Sequence, residues 1–302
     1  KVSISSNVDP TFREYERTVV TAFDAYLKPV VDNYLSSLDM KLKHAGLKNE
    51  PKIMKSRGAM SAITIARQHP VQLFLSGPAA GVVGAADVGK ANNIKDLISV
   101  DIGGTSCDIA VIKDGRPTLR AEGEIEHFPV RVNMVDVNAI GAGGGSLVWI
   151  DSAGGLRVGP DSAGAHPGPA SYGLGGNKTT VTDASVVLGF INPNYFAGGT
   201  LPLYREKAIQ TIDITIARKL NCSIERAAQG IHQVVNTQMA EGIRLLSTQR
   251  GLDPRDFTLV ALGGAGPIHA TALADELGIK KIIIPFNPGV LSAMGLLTAP
   301  IE

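Results

Sequence analysis

The sequence predicts a mixed α/β fold: a mixed β-sheet with helices packed on it and a Gly-rich insertion. Three observations carry that prediction. Two apolar runs, "LISVDI" (97–102) and "CDIAVIKDG" (107–115), flank a short Gly-containing turn and read as antiparallel strands. Near the other end, "FTLVAL" (257–262), "GGAGP", "IHATALADELG" and "KIIIPF" (281–286) form a strand–loop–helix–strand unit. Hydrophobic residues make up 44% of the 302 and charged residues 19%, enough for a sizeable core, while 34 glycines suit tight turns and close backbone approaches.

The elements follow in order. Residues 11–46 carry apolar side chains at three- and four-residue steps (Tyr15, Val19, Phe23, Leu27, Val31, Leu35), the period of a helix. Pro29 is expected to kink or split it, and Gly46 to stop it. "VQLFL" (71–75) reads as a short strand. The small-residue run from Ser76 reads as a helix, with Pro78 in its first turn and a face of Ala79, Ala80, Gly84 and Ala85 suited to lying on a sheet. Asp114-Gly115 signals a turn, and "PTLRAEGEIE" (117–126) is the expected third strand of a meander. Residues 141–176 hold twelve glycines without a three-residue period, with a hairpin expected around Ala153–Gly155 and loop beyond it. Residues 205–220 and 223–251 have helical spacing, the second capped by Ser223 and ended by Gly251, and 289–299 form a last helix.

Composition also excludes. A formal net charge of +1 offers no basic excess for nucleic acid. No apolar run approaches the ~20 residues that span a bilayer. Cys107 and Cys222 form neither a CxxC pair nor a disulfide ladder, which points to a reducing, cytoplasmic compartment. No signal peptide is recognised, and a start without Met suggests a segment of a longer protein.

Three loops are candidates for chemistry. In "DIGGTSCD", Gly103 and Gly104 can expose consecutive backbone N–H groups to an anion, and Thr105 and Ser106 add hydroxyls. Asp101 at a strand end can hold a hydrated Mg²⁺ beside phosphate, and Asp108 can orient water or a hydroxyl; the other reading is an ordinary hairpin turn with acidic edges. In "LGGAGPIHA", Gly263, Gly264, Ala265 and Gly266 lie between strand and helix, where backbone meets ligand, or simply form a tight turn. The spacing is neither GxGxxG nor GxxxxGK[ST]. In "VDVNAIGAGGGS", Gly143–Gly145 and Ser146 can bind an anion, permit close packing or form a surface turn, and Asp136 can be a metal ligand or an organiser. The histidines are scattered without zinc spacing; His166 sits in the Gly/Pro loop, and His232 falls at a helical position. Cys107 reads as a small buried residue rather than a reactive thiol.

Eight segments in order resemble the hydantoinase A/5-oxoprolinase family: "EYERT", "SGPAAGVVGA", "DIGGTSCD", "IGAGGGSLVWID", "LRVGPDSAGAHPGPASYGLGG", "TVTDA", "RGLDPRDFTLVALGGAGPIHA" and "PGVLSAMGLL". The resemblance covers essentially the whole chain and implies one domain over 1–302 with a Gly-rich subregion at about 117–200. It implies an actin-like, ribonuclease H-like ATPase that binds ATP and Mg²⁺ between two lobes. "DIGGTSCD" then resembles the phosphate loop of the second lobe, and "LGGAGPIH" its adenosine-side loop. The first lobe, with its own DxGGT-type loop, is expected outside this chain, so nucleotide binding by the segment alone is expected to be weak. The implied activity is ATP-dependent opening of cyclic amides such as hydantoins or 5-oxoproline, with a hydantoinase B-type companion. The alternatives are a ketone carboxylase subunit and a non-catalytic nucleotide-sensing or assembly lobe. Ser171 stands where many relatives have Cys, and Asn138 where many have His.

Overall fold

In a computed structural model that describes residues 2–302, the chain divides into two compact units. The first comprises Lys1–Lys95, Ala110–Val137 and Val290–Glu302. Its long helix α1, Glu14–His44, runs unbroken through Pro29, so the expected split does not occur. Tertiary anchors on both sides of the proline offset the backbone bond it removes. Val20 and Leu35 are in the core, and the buried Asp24 pairs with Lys28 at 3.1 Å and accepts a 2.6 Å bond from Ser3. Gly46 follows the helix with φ +95°, the left-handed stop that its sequence position predicts.

"VQLFL" is not a strand. Pro70–Leu73 form a 3₁₀ turn, because Pro70 has the φ and the missing N–H of a helix start, and Leu75 turns left-handed before α2, Ser76–Ala91. The small face of α2 packs mainly on another helix, Leu291–Thr298, rather than on a sheet. A Cβ built on Gly84 would lie 2.8 Å from the Leu291 carbonyl, and one on Gly295 would run into the Ala80 carbonyl. Glycine at these positions is what lets the two backbones touch.

The second unit, Asp96–Ile109 and Asn138–Gly289, carries the sheet that positions the site. Its strands are β1 (Leu97–Ile102), β2 (Cys107–Lys113, which begins in this unit), β3 (Val137–Ile140), β4 (Thr258–Leu262) and β5 (Ile282–Ile283), in the order β3-β2-β1-β4-β5. β4 runs parallel to β1, with Leu259 opposite Ile98 and Leu262 opposite Asp101, and parallel to β5. The four-residue link from β1 to β2 only permits an antiparallel pair. The sheet is therefore mixed, as predicted, and its 3-2-1-4-5 order is that of ribonuclease H-like folds. β4 is buried along its whole length, as a central strand covered on both faces must be.

The third strand is not "PTLRAEGEIE". That stretch breaks into three pieces: Arg116–Pro117 pairs antiparallel with the end of β2, as a meander predicts, but Leu119–Arg120 and Gly123–Ile125 pair outside this sheet, and β3 lies along the rest of β2. Pro117 has no N–H for a ladder, and Arg120, Glu122, Glu124 and Glu126 put a charge at every second position. The hairpin Ser146–Ile150/Leu156–Ser162 forms as predicted, with Asp151 accepting from the amides of Ala153 and Gly155 in its turn. Helices α3 (Val181–Val187), α4 (Arg205–Ile212, continued by a π turn), α5 (Ile224–Thr248) and α6 (Gly266–Leu277) complete the unit. Ser223 caps α5 by accepting from the Arg226 amide, and Ile231, Val235, Met239 and Ile243 form its buried face as the spacing predicts.

Candidate functional site

The parallel register of β1 and β4 brings their carboxyl ends side by side, the end of an α/β sheet where ligands bind. Two Gly-rich loops leave from that end. The first is the turn Gly103–Ser106; the second, Gly263–Ala265, leads into α6. The Ala265 amide donates to the Ile102 carbonyl at 2.9 Å, and the Gly263 amide to Pro288 at 2.9 Å. Gly263 has φ +81°, and a Cβ there would collide with the Asp101 carboxylate and the Ile102 carbonyl, so only glycine lets this loop lie on the strand end.

The third candidate loop joins them. The Gly144 amide donates to Gly103 at 3.0 Å and the Gly145 amide to Gly104 at 2.6 Å. Gly143–Gly145 are buried, which settles the choice between close packing and a surface turn in favour of packing. Their geometry is fixed from behind: Ser146 Oγ accepts from the Gly143 amide at 2.9 Å, and both the amide and the hydroxyl of Thr182 donate to the Gly144 carbonyl, at 2.7 and 2.8 Å. Three loops distant in sequence thus make one backbone surface.

The free donors on that surface are specific. The Gly103 amide closes its own turn on Ser106 at 3.1 Å. Among the described residues, the amides of Gly104, Thr105, Ser106 and Gly264 donate to no protein atom, and Gly104, Thr105 and Gly264 are solvent-exposed. Consecutive unpaired N–H groups in a turn form an anion-binding concavity. Beside them, burial and then the charge of Asp101 push the Asp108 carboxyl up to about 6. Burial, then Asp108 and Asp101, push the Cys107 thiol well up, so it stays protonated and unreactive. Among the described residues, no group of three or more His, Cys, Asp or Glu side chains is placed to hold a metal, so a cation at Asp101 would take most of its shell from water and ligand.

The raised Asp108 has a consequence for stability. A carboxyl whose folded pKa lies above its ordinary 3.8 stabilises the fold while protonated, and that contribution is lost as pH rises through about 6. Asp108→Asn is therefore expected to raise the denaturant midpoint at pH 8 and to leave it nearly unchanged at pH 4. A variant less stable than the parent at pH 8 contradicts this.

Other residues singled out in the sequence lie elsewhere. Asp136 belongs to the first unit and faces Arg120 at 3.9 Å, an organiser's position. His166 is exposed in the Gly/Pro loop, whose Ala163 amide donates to Gly145 at 2.9 Å. Asn138 is half-buried in β3. Ser171 is fully buried; its amide donates to Asp183 at 2.8 Å, while its hydroxyl has no partner among the described residues. Asp183 was not singled out. It is fully buried and accepts from the amides of Ala170, Ser171 and Thr180 and from the Thr180 hydroxyl, pinning the Gly/Pro loop to α3. Its signal was the T-x-x-D spacing of a capping box in "TVTDA". No helix among the described residues is long and apolar enough to cross a membrane.

Comparison with known proteins extends the picture. The family model described as hydantoinase/oxoprolinase matches residues 17–302. The caprolactamase subunit alpha of Pseudomonas jessenii is 40% identical over 98% of this chain and 42% of its own length. The crystal structure of the ATP-dependent caprolactamase from that organism superposes with a TM-score of 0.88, covering 98% of this chain and 43% of that one. Nucleotide-free acetone carboxylase superposes equally well, with a TM-score of 0.88 at 30% identity, over 98% of this chain and 41% of that one. The chain spans less than half the length of these relatives.

Proposed function

The chain belongs to the hydantoinase/oxoprolinase family, and on that premise we propose that it is the phosphate-binding lobe of an ATP-dependent cyclic amide hydrolase. The observation that carries the reading is the convergence of three Gly-rich loops on the carboxyl ends of β1 and β4, with the amides of Gly104, Thr105, Ser106 and Gly264 left to donate. Those groups hold phosphate oxygens. Asp101 holds a Mg²⁺ ion through water, and the mutual repulsion of Asp101 and Asp108 is the kind of strain that a cation relieves. ATP, when bound, supplies the phosphoryl group that activates the amide carbon to attack by water, so that the ring C–N bond breaks with the nitrogen leaving as the amine, and phosphate is released on hydrolysis of the resulting acyl phosphate. The protein's part is positioning and charge neutralisation. Asp108, with its carboxyl poised near neutrality, takes or returns the proton of a water or hydroxyl at the turn.

In this reading the rest of the enzyme supplies a first lobe and a hydantoinase B-type companion, and the substrate is a small cyclic amide. The test is ADP release by the full-length protein with its companion, supplied with hydantoins, 5-oxoproline and caprolactam. Stimulation by one of them is expected; a flat response across the panel counts against the hydrolase. The similarity to acetone carboxylase favours one second reading, ATP-dependent carboxylation of a ketone. Incorporation of labelled bicarbonate separates the two.

A further inference from the structure

Helix α1, in the first unit, is charged inside and apolar outside over about five turns. Between Thr18 and Ser37 it has three ionic side chains, and all of them turn inward. Asp24 and Lys28 are buried as a pair, and Asp32 accepts from Arg67 at 2.6 Å. The solvent side carries Tyr15, Tyr26, Val30 and Tyr34 instead, each 61–79% exposed, with Val19 and Phe23 half-buried between them. A solvated surface helix has the opposite arrangement, with its charge outward. A continuous apolar face of this length marks a contact surface.

The face reads the same from either end. At 3.6 residues per turn, Tyr15, Val19, Phe23, Tyr26, Val30 and Tyr34 fall within an arc of about 100°. Their spacings are four, four, three, four and four residues. A two-fold axis crossing the helix between Asp24 and Ala25 therefore sets Tyr15 opposite Tyr34 of a second copy, Val19 opposite Val30, and Phe23 opposite Tyr26. Like meets like at each step, as a contact between identical surfaces requires. A hollow of about 270 Å³, lined by Val19, Ala22, Phe23, Tyr26 and Phe128, lies on this face where the second copy's Tyr26 and Val30 arrive. Phe23 and Phe128 meet edge to face in its wall, at 6.3 Å. Charge agrees with this pairing. The middle of the face holds no ionic group to repel its own copy. An antiparallel pair also points the acidic first turn of each helix, Glu14 and Glu16, toward the basic end of the other, Lys41 and Lys43.

We propose that α1 is a homodimerisation face, on which two copies of the full-length protein pair their α1 helices antiparallel about this axis. Tyr26 is the central anchor, a large side chain with few torsions to fix. A first lobe or a companion subunit could use an apolar face without any symmetry in its spacing. The palindrome favours a second copy.

The test uses the full-length protein, with its association measured by sedimentation equilibrium at micromolar concentrations. A dimer is expected. Tyr26→Glu, at a position 79% exposed and so free of the core, is expected to raise the dimer dissociation constant about 100-fold or more, because the symmetry places the new charge in the interface twice. Cysteine cross-linking reads the register. The axis puts the two copies of residue 26 about 4.5 Å apart along the helices, and those of residue 34 about 28 Å apart. On oxidation, Tyr26→Cys is expected to form an intersubunit disulfide that neither Tyr34→Cys nor the parent forms. A monomeric parent, a dimer unmoved by Tyr26→Glu, or a cross-link at residue 34 and not at 26 overturns the proposal. With a monomeric parent, loss of companion binding in Tyr26→Glu gives the face to that subunit instead.

Discussion

Gly143→Ala is expected to lower kcat/KM for ATP turnover about 100-fold in a protein that still folds, because displacing catalytic donors by about 1 Å costs that much. A Cβ at this position lies 2.9 Å from each of three atoms: the Gly103 carbonyl oxygen, the Gly104 carbonyl carbon and the Thr105 amide nitrogen. All three are backbone, so no side chain can swing aside. Gly143 cannot retreat, since Ser146 holds its amide and Thr182 holds the neighbouring carbonyl. The turn that carries the free amides must therefore move. Overpacking of this kind costs about 1–3 kcal/mol, which a folded unit of this size tolerates. Gly141→Ala is the control: its Cβ would meet Pro160 at 3.5 Å, ordinary contact, and near-parental turnover is expected. ATPase rates of the full-length variants, with thermal unfolding alongside, read both effects. Full activity in Gly143→Ala sinks the claim that the third loop sets the geometry of the first.

That dependence of one loop on another marks the limit of what the residues disclose by themselves. The strand pair around Gly103, the βαβ unit and the face of α5 are legible because alternation, helical period and capping are local signals, and local signals survive folding when tertiary contacts agree with them. Pro29 and "VQLFL" mislead for the opposite reason. The helix through Pro29 is held by Asp24, Lys28 and Leu35, and Pro70 starts a 3₁₀ turn where apolar content alone reads as a strand. The loop at Gly143 stays ambiguous in the sequence because three glycines permit packing, binding or motion equally. Only the register of Gly144 and Gly145 against Gly103 and Gly104 decides between them. Asp183 escapes notice because its T-x-x-D spacing reports only a helix cap, while its hold on the amides of Ala170 and Ser171 depends on burial.

Asp101→Asn tests the charge at the centre of the site, and it is expected to lower the ATPase rate by about 10²–10³, the usual cost of removing one electrostatic stabiliser. The amide is nearly isosteric, so the close seat of Gly263 on this side chain is retained and a packing effect is minimised. Two further readouts separate electrostatics from structure. The Mg²⁺ concentration for half-maximal rate is expected to rise, because a neutral amide holds hydrated cations less well than a carboxylate. The pH profile is expected to move as well. Asp101 is the second cause, after burial, of the raised Asp108 carboxyl, so its neutralisation lets Asp108 ionise more readily. The acid limb near pH 6 then shifts downward but stops short of the ordinary 3.8, because burial persists. Parental turnover in Asp101→Asn removes Asp101 from the cation site. A rate loss with an unmoved acid limb removes Asp108 from proton transfer while leaving Asp101 in place, so the two acids of "DIGGTSCD" are tested separately by one substitution.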